Sequence, residues 1–260
     1  MLSYQHIFHA GNLADVQKHA ALAWVVAYLT AKDKPISYIE THSGRALYDL
    51  ASDAAKKTGE AEKGIECDGV QTGLGLDHPY LRVLNKVRDT FGPRHYPGSP
   101  WIARELLRAT DQMHLAELHP QEAIALRSAI GKRAKVYHQD GFQLAHSLCP
   151  PTPRRGLLLI DPSYEIKTEY ATIPPMIAKL HKKWNVGVIM LWFPILTSGA
   201  HDPMLAALVE NHPDGLRAEV NFPHVREGHR MVGSGLFIVN PPFGLADELK
   251  RIADIFGKLT

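Results

Sequence analysis

The spacing of apolar positions changes several times along the chain, and each change marks an element. Between Ala14 and Leu29, the residues Val16, Ala20, Ala23, Trp24 and Ala27 recur at helical spacing. This predicts a helix capped by Asn12 or Asp15. KDKP breaks the pattern, and ISYIET, bounded by Pro35 and Gly44, reads as a first strand. From about Ala46 to Gly98, LYDLASDAAKKTGEAEKGIECDGV and YLRVLNKVRDTF have amphipathic helical texture, Gly-rich turns and no strand signal. They predict a helical insertion, residues 46–98, within one domain spanning 1–260. After a helix from about Trp101 to Ala109 the alternation returns: MHLAEL, AKVYHQ, GLLLI and VGVIMLWF as strands. PQEAIALRSAIG, GFQLAHSL, Thr172 to Lys183 and HDPMLAALVENH are the helices between and after them. LRAEVNF and GSGLFIVN close the chain as strands, a candidate antiparallel hairpin at a sheet edge. Strand–helix alternation of this kind predicts an α/β fold, Rossmann-like, with a mostly parallel sheet and helices on both faces.

Open sheets of this class place their chemistry at the carboxyl ends of the strands. The first such turn reads Glu40-Thr41-His42-Ser43-Gly44-Arg45-Ala46. A single glycine here does not suit a pyrophosphate, which needs GxGxxG; it suits a donor without phosphate, such as S-adenosylmethionine. Glu117, at the tip of MHLAEL, is placed to accept both ribose hydroxyls. Asp140 could accept from the adenine amine, with Gly141 allowing close backbone approach; each of these acids could equally be a helix cap or a plain surface carboxylate. GLLLI ends at Asp161-Pro162-Ser163-Tyr164. A carboxylate and a neighbouring carbonyl that accept the two N–H bonds of an exocyclic amine aim its lone pair at a methyl group. Asp161 and the Pro162 carbonyl fit those roles, and Tyr164 fits stacking on an extruded base. The alternative is that Asp161 caps a helix and Tyr164 is core.

The stretches MLSYQHIFHAGNLADVQKH, YIETHSG, HYPGSP, LAELHP, QDGF and LLLIDPSY together resemble the bacterial 23S ribosomal RNA adenine-N6 methyltransferases, over nearly the whole chain. The resemblance implies a methyltransferase fold and N6-methyladenosine formation at one 23S rRNA site. It also implies S-adenosylmethionine as donor, S-adenosylhomocysteine as product, and no metal. It places donor contacts at Lys18, His19, His42, Ser99, Glu117, Asp140, Gly141 and Asp161, catalysis at Asp161, and an RNA contact at Tyr4. The chain departs from that family in two places. Ser163 stands where the family has a second proline, which predicts slower turnover or altered geometry but not loss of activity, because a proline there would restrain Pro162 while the acceptor groups remain. Ala46 stands where the family carries a further glycine.

Composition narrows the rest. Hydrophobic residues are 45% and charged residues 22%, ordinary for a globular chain, and the net charge of +2 does not by itself indicate a polyanionic partner. Two cysteines without CxxC spacing, no basic-then-apolar leader and no apolar run near the roughly 18 residues of a membrane helix point to a cytoplasmic protein off the membrane. No protein partner is implied, and a monomer is expected. Asn240-Pro241-Pro242-Phe243 is a second amine-methylation-like stretch, read as structural because it follows the last strand. His6 and His9 lack further ligands at metal spacing, and the Trp24 and Trp192 stretches are read as core. The basic groups, Arg127 with Lys132, Arg133 and Lys135, Arg154-Arg155, Lys182-Lys183 and Arg226 with Arg230, read mostly as solvated faces; those near the carboxyl ends of strands are the better RNA candidates, and Arg226, His229 and Arg230 are expected in a mobile loop. The competing functions are a DNA adenine-N6 methyltransferase and a non-catalytic RNA-binding protein with a decayed site.

Overall fold

A computed structural model describes residues 4–223, 228 and 230–259. Arg226 and His229 therefore lie outside the described residues. In chain order the elements are α1 (Leu13–Thr30), β1 (Ser37–Glu40), β2 (Leu47–Asp49), α2 (Asp53–Thr58), α3 (Glu60–Lys63), α4 (Asp68–Leu74), α5 (Pro79–Phe91) and β3 (His95–Pro97). There follow α6 (Ser99–Leu106), β4 (Gln112–Ala116), α7 (Pro120–Ile130), β5 (Lys135–Tyr137), α8 (Gly141–Leu148), β6 (Gly156–Ile160) and α9 (Glu169–Lys183). The chain ends with β7 (Val188–Leu196), α10 (Asp202–Asn211), β8 (Leu216–Asn221), β9 (Met231–Val239) and α11 (Leu245–Phe256).

Seven strands form one sheet in the order β5-β4-β1-β6-β7-β9-β8. β5, β4, β1, β6 and β7 run parallel, and β9 enters antiparallel between β7 and β8. The order reverses between β1 and β4 on one side and β6 on the other, so the crevice of this sheet opens over the ends of β1 and β6. The two last strands pair antiparallel at one edge of the sheet as expected, with β8 outermost and β9 against β7.

β6 shows why its sequence is apolar without alternation. Leu157 and Leu159 join the core under α1, α5, α6 and α11, while Leu158 and Ile160 join the core under α8, α9 and α10. A strand covered on both faces buries every side chain, and all five residues of β6 are buried. Asn12 is the cap of α1, its side chain accepting from the Asp15 amide at 2.9 Å.

The segment from 46 to 98 contains α2 to α5, and also two strands that its helical texture conceals. β2 and β3 pair antiparallel, with Tyr48 opposite Tyr96, in a separate two-stranded sheet. Three residues per strand are too few for a period to show. Ala46, just before β2, has φ +68 and is fully buried. That left-handed conformation favours glycine, which gives a physical reason for a glycine at this position.

Candidate active site

A cavity of about 710 Å³ opens over the carboxyl ends of the parallel strands. It brings together Tyr4, Lys18, His19, His42, Ser99, Glu117, Asp140, Gly141, Asp161, Pro162 and Tyr164, the whole set expected from the sequence.

At its centre Asp161 follows β6 directly. Lys18, projecting from buried α1, places Nζ 2.6 Å from Asp161 Oδ2. The same ammonium sits 3.1 Å from Asp15 Oδ1, one helical turn earlier. Burial works against a charged Lys18, but Asp161 and Asp15 more than offset it and hold the ammonium above the ordinary lysine range. Asp15 is fully buried. Burial pushes its carboxyl up, yet His6, Lys18 and His19 together hold it well below the usual range. Its Oδ2 accepts from the Gly11 amide at 2.9 Å and lies 2.8 Å from His6 Nε2. Because a carboxylate only accepts, Nε2 is the donor there. Tyr4 completes the chain: its hydroxyl is 2.8 Å from His6 Nδ1, and its ring stacks on His9 at 5.6 Å. The Tyr4 amide donates to Glu165 Oε2 at 3.1 Å, tying the amino-terminal segment to the turn that carries Asp161.

The Tyr164 ring is buried, 2% exposed, with one face stacked on Tyr170 at 4.6 Å and its hydroxyl donating to the Trp192 carbonyl at 2.8 Å. Its φ is +56. In this conformation the ring offers no free face to a base; stacking requires it to leave this position. Trp192, read as core, is half-buried and lines the cavity, its ring centre 5.7 Å from Lys18 Nζ. Trp184 is a tryptophan that is fully buried. Trp24 is half-buried and stacks on Tyr28.

The first turn and the β4 end face each other. Glu117 accepts from the Gly44 amide through Oε2 and from the His119 amide through Oε1, each at 2.7 Å. Burial raises its pKa. Arg45 forks onto Glu122 of α7, with Nε 2.8 Å from Oε2, which clamps the turn to the helix after β4. Asp140 does cap α8, its Oδ1 accepting from the Gln143 amide at 2.8 Å, and it also lines the cavity. Gly141 serves the protein's own packing: a Cβ there would fall 1.9 Å from the Thr41 carbonyl oxygen. His42 rests edge-on against Phe142, and burial pushes its pKa down to about 4, so it is neutral at pH 7.

Ser99 opens α6 and donates to Glu40 Oε1 at 2.5 Å, while Tyr38 donates to Glu40 Oε2 at 2.8 Å. Burial pushes Glu40 up to about 8 against both bonds. His19 is built into a buried polar chain, Nδ1 2.7 Å from the Tyr96 hydroxyl, which is 2.8 Å from that of Tyr80. Burial pushes His19 down to about 3.

Asp15, Ser43, Phe142 and Trp192 line the cavity and were missed by sequence reading, and Glu40 stands behind Ser99. The available signal for Asp15 was its spacing: it shares a helix face with Lys18 and His19 at i+3 and i+4. Asn240, by contrast, donates to the carbonyls of Asn185 and Gly187, the residues leading into β7. Antiparallel β9 ends there, at the amino ends of the parallel strands, opposite the carboxyl ends that carry Asp161. Among the described residues no group of three or more His, Cys, Asp or Glu could hold a metal ion, and no helix is long and apolar enough to cross a membrane.

The family described as "Ribosomal RNA large subunit methyltransferase D, RlmJ" matches residues 33–259. The ribosomal RNA large subunit methyltransferase J of Escherichia coli (strain K12) is 39% identical over 97% of this chain and 91% of that protein. Its counterpart in Haemophilus influenzae is 37% identical over 97% and 92%. A crystal structure of a Legionella pneumophila protein superposes with a TM-score of 0.87 at 36% identity, covering 96% of this chain and 94% of that one.

Proposed function

The chain belongs to the RlmJ family of ribosomal RNA large subunit methyltransferases, and from that premise we propose that it transfers a methyl group from S-adenosylmethionine to the exocyclic N6 amine of one adenosine in 23S rRNA. The observation that carries the reading is the Asp161 carboxylate, fixed by Lys18 at the end of the central strand and opening into the cavity that Glu117 and Asp140 share.

The residues fit the donor. Glu117 has both oxygens fixed by amides and lone pairs left for a ribose diol. Ser43 Oγ is buried at the first turn, in the cavity wall, without a hydrogen-bond partner among the described residues. No glycine-rich phosphate cradle competes with this assignment. When bound, the donor supplies a methyl group made electrophilic by its sulfonium. Asp140, His42 and Phe142 then surround the adenine, and Ser99, His19 and Lys18 lie toward the methionine end.

Asp161 Oδ2 is held by Lys18, which leaves Oδ1 to accept one N–H of the target amine. The Pro162 carbonyl accepts the other. Two acceptors on one amine draw its lone pair out of the ring, and in-line placement does the rest of the work. As the new N–C bond forms, the nitrogen becomes acidic and Asp161 Oδ1 is the nearest acceptor for its proton. Tyr164 covers the base after its ring swings away from the Trp192 carbonyl, and Tyr4 at the mouth meets the nucleotide. The protein acts as a monomer in the cytoplasm, with residues 46–98 as a helical insertion in a single domain.

Labelled methyl transfer to 23S RNA from a strain lacking the modification, and to duplex DNA in parallel, tests the reading. Label is expected in RNA adenine as N6-methyladenosine. Label in DNA alone favours the DNA enzyme, and absence of S-adenosylhomocysteine binding by calorimetry favours a decayed site.

A further inference from the structure

The mechanism above uses Asp161 and Lys18, but Lys18 does not stand alone. Its ammonium bridges two carboxylates, Asp161 Oδ2 at 2.6 Å and Asp15 Oδ1 at 3.1 Å. Asp15 is fully buried, and a carboxylate is expensive to bury unless paired and hydrogen-bonded. Stability alone gives little reason to keep it: apolar residues of like volume often serve as well as buried ion pairs. Its partners form a line across the site. Oδ2 takes the Gly11 amide and His6 Nε2, His6 Nδ1 meets the Tyr4 hydroxyl, and Oδ1 faces Lys18. Asp15 does not line up with Asp161 through any direct bond; it reaches it only through Lys18.

We propose that Asp15 is a positioning residue for methyl transfer, a second carboxylate that shares the Lys18 ammonium with Asp161 and couples it, through His6, to Tyr4 at the mouth. Two consequences follow from the charges. With Asp15 present, the ammonium is pulled toward α1 and engages a single oxygen of Asp161, so Oδ1 keeps its lone pairs for the amine. Without that pull, nothing on α1 restrains the ammonium from closing over both Asp161 oxygens, as free ammonium–carboxylate pairs do in a low-dielectric site. The same loss weakens the acceptor of His6 and, through it, the hold on the Tyr4 hydroxyl, while the Tyr4 amide stays on Glu165. Asp15 thus acts on the geometry of Asp161 and on the docking of the amino-terminal segment, while the ribose and adenine side of the donor pocket, with Glu117, Asp140 and Ser43, lies on other elements. The sequence carries the device as D-x-x-K-H on one helical face.

This inference rests on Asp161 being the amine acceptor, and the test separates the two. Wild type, Asp15→Asn and Asp15→Glu are compared for steady-state methyl transfer to 23S RNA and for S-adenosylhomocysteine affinity by calorimetry, with melting curves confirming the folded state. Asp15→Asn is expected to lose about tenfold to a hundredfold in kcat, the range of a misplaced proton acceptor. Its KM for donor and its S-adenosylhomocysteine affinity stay within about threefold, less than the loss of one good hydrogen bond. Asp15→Glu is expected to regain several-fold of the lost kcat because it restores the charge. Unchanged kcat in Asp15→Asn overturns the proposal, as does loss of S-adenosylhomocysteine binding, which would make Asp15 part of the donor pocket. A folded Asp15→Glu no better than Asp15→Asn overturns it too, since only shape would then matter. If Asp15→Asn does not melt cooperatively, Asp15→Glu decides: turnover within about tenfold of wild type supports the shared charge, and a folded variant below that contradicts it. An inactive wild type that still binds S-adenosylhomocysteine would instead count against the proposed reaction.

Discussion

Two strands of this protein end in nearly the same words. After β6 comes Asp161-Pro162-Ser163-Tyr164, and after β9 comes Asn240-Pro241-Pro242-Phe243. Both turns hold one non-glycine residue in the left-handed region, Tyr164 at φ +56 and Asn240 at φ +54. In everything that bears on chemistry they differ. Asp161 opens into the cavity and is bound by a buried lysine, whereas the Asn240 amide is used up on the carbonyls of Asn185 and Gly187. The Tyr164 ring is 2% exposed and Phe243 is 91% exposed. The cause is strand direction. β6 is parallel to its neighbours and delivers its end to the crevice; β9 is antiparallel and delivers its end to the amino ends of the parallel strands. A motif at the end of a strand acquires its meaning from which way the strand runs.

The largest effects are expected where the β6 turn is disarmed. Lys18→Met removes the shared cation of Asp161 and Asp15, and breaking a buried pair on one side destabilises by about 3 kcal/mol or more. A thermal melt should show this loss together with a collapse of methyl transfer; a variant melting like wild type would mean the pair is not formed in solution. Next, Glu117→Ala removes the acceptor expected to hold the donor's ribose, and S-adenosylhomocysteine affinity measured by calorimetry should fall by about tenfold to a hundredfold, the value of hydrogen bonds to a charged group. Equal affinity would move the ribose elsewhere. Ser163→Pro makes the β6 turn more like its β9 counterpart in sequence, and turnover should rise a few-fold as the Pro162 carbonyl is restrained; turnover equal to wild type would show that the serine does no harm. Ala46→Gly should have the smallest effect. The left-handed backbone costs alanine about 1–2 kcal/mol, and losing a buried methyl gives back about 0.8, so a gain of about 0.2–1.2 kcal/mol is expected in a denaturant titration.

Much of this was legible in the sequence because it is local. β6 and α8 follow from short apolar patterns with clear stops, and Asp161, Glu117 and Asp140 follow from their places just beyond strands. What was hidden depends on contacts distant in the chain. No local pattern could say that β9 inserts between β7 and β8, or that Tyr48 and Tyr96 pair across β2 and β3. Asp15 read as a helix cap although Gly11, His6 and Lys18 are near it in the chain, because its bearing on the site appears only once Lys18 meets Asp161, 143 residues away. Trp192 read as core because β7 is apolar throughout, although β7 runs past the end of β6, where Ile160 pairs with Leu191, and so sets Trp192 level with Asp161 at the cavity wall. Tyr164 shows the reverse: the residue was found, but its buried resting place was not foreseeable.

Labelled methyl transfer from S-adenosylmethionine to unmodified 23S RNA, run side by side with Asp161→Ala and Asn240→Ala, tests the central assignment most directly. Asp161→Ala is expected to lose roughly a hundredfold or more of turnover while still binding S-adenosylhomocysteine, and Asn240→Ala to methylate RNA at the wild-type rate with only a lowered melting temperature. An active Asp161→Ala beside an inactive, folded Asn240→Ala would contradict that assignment.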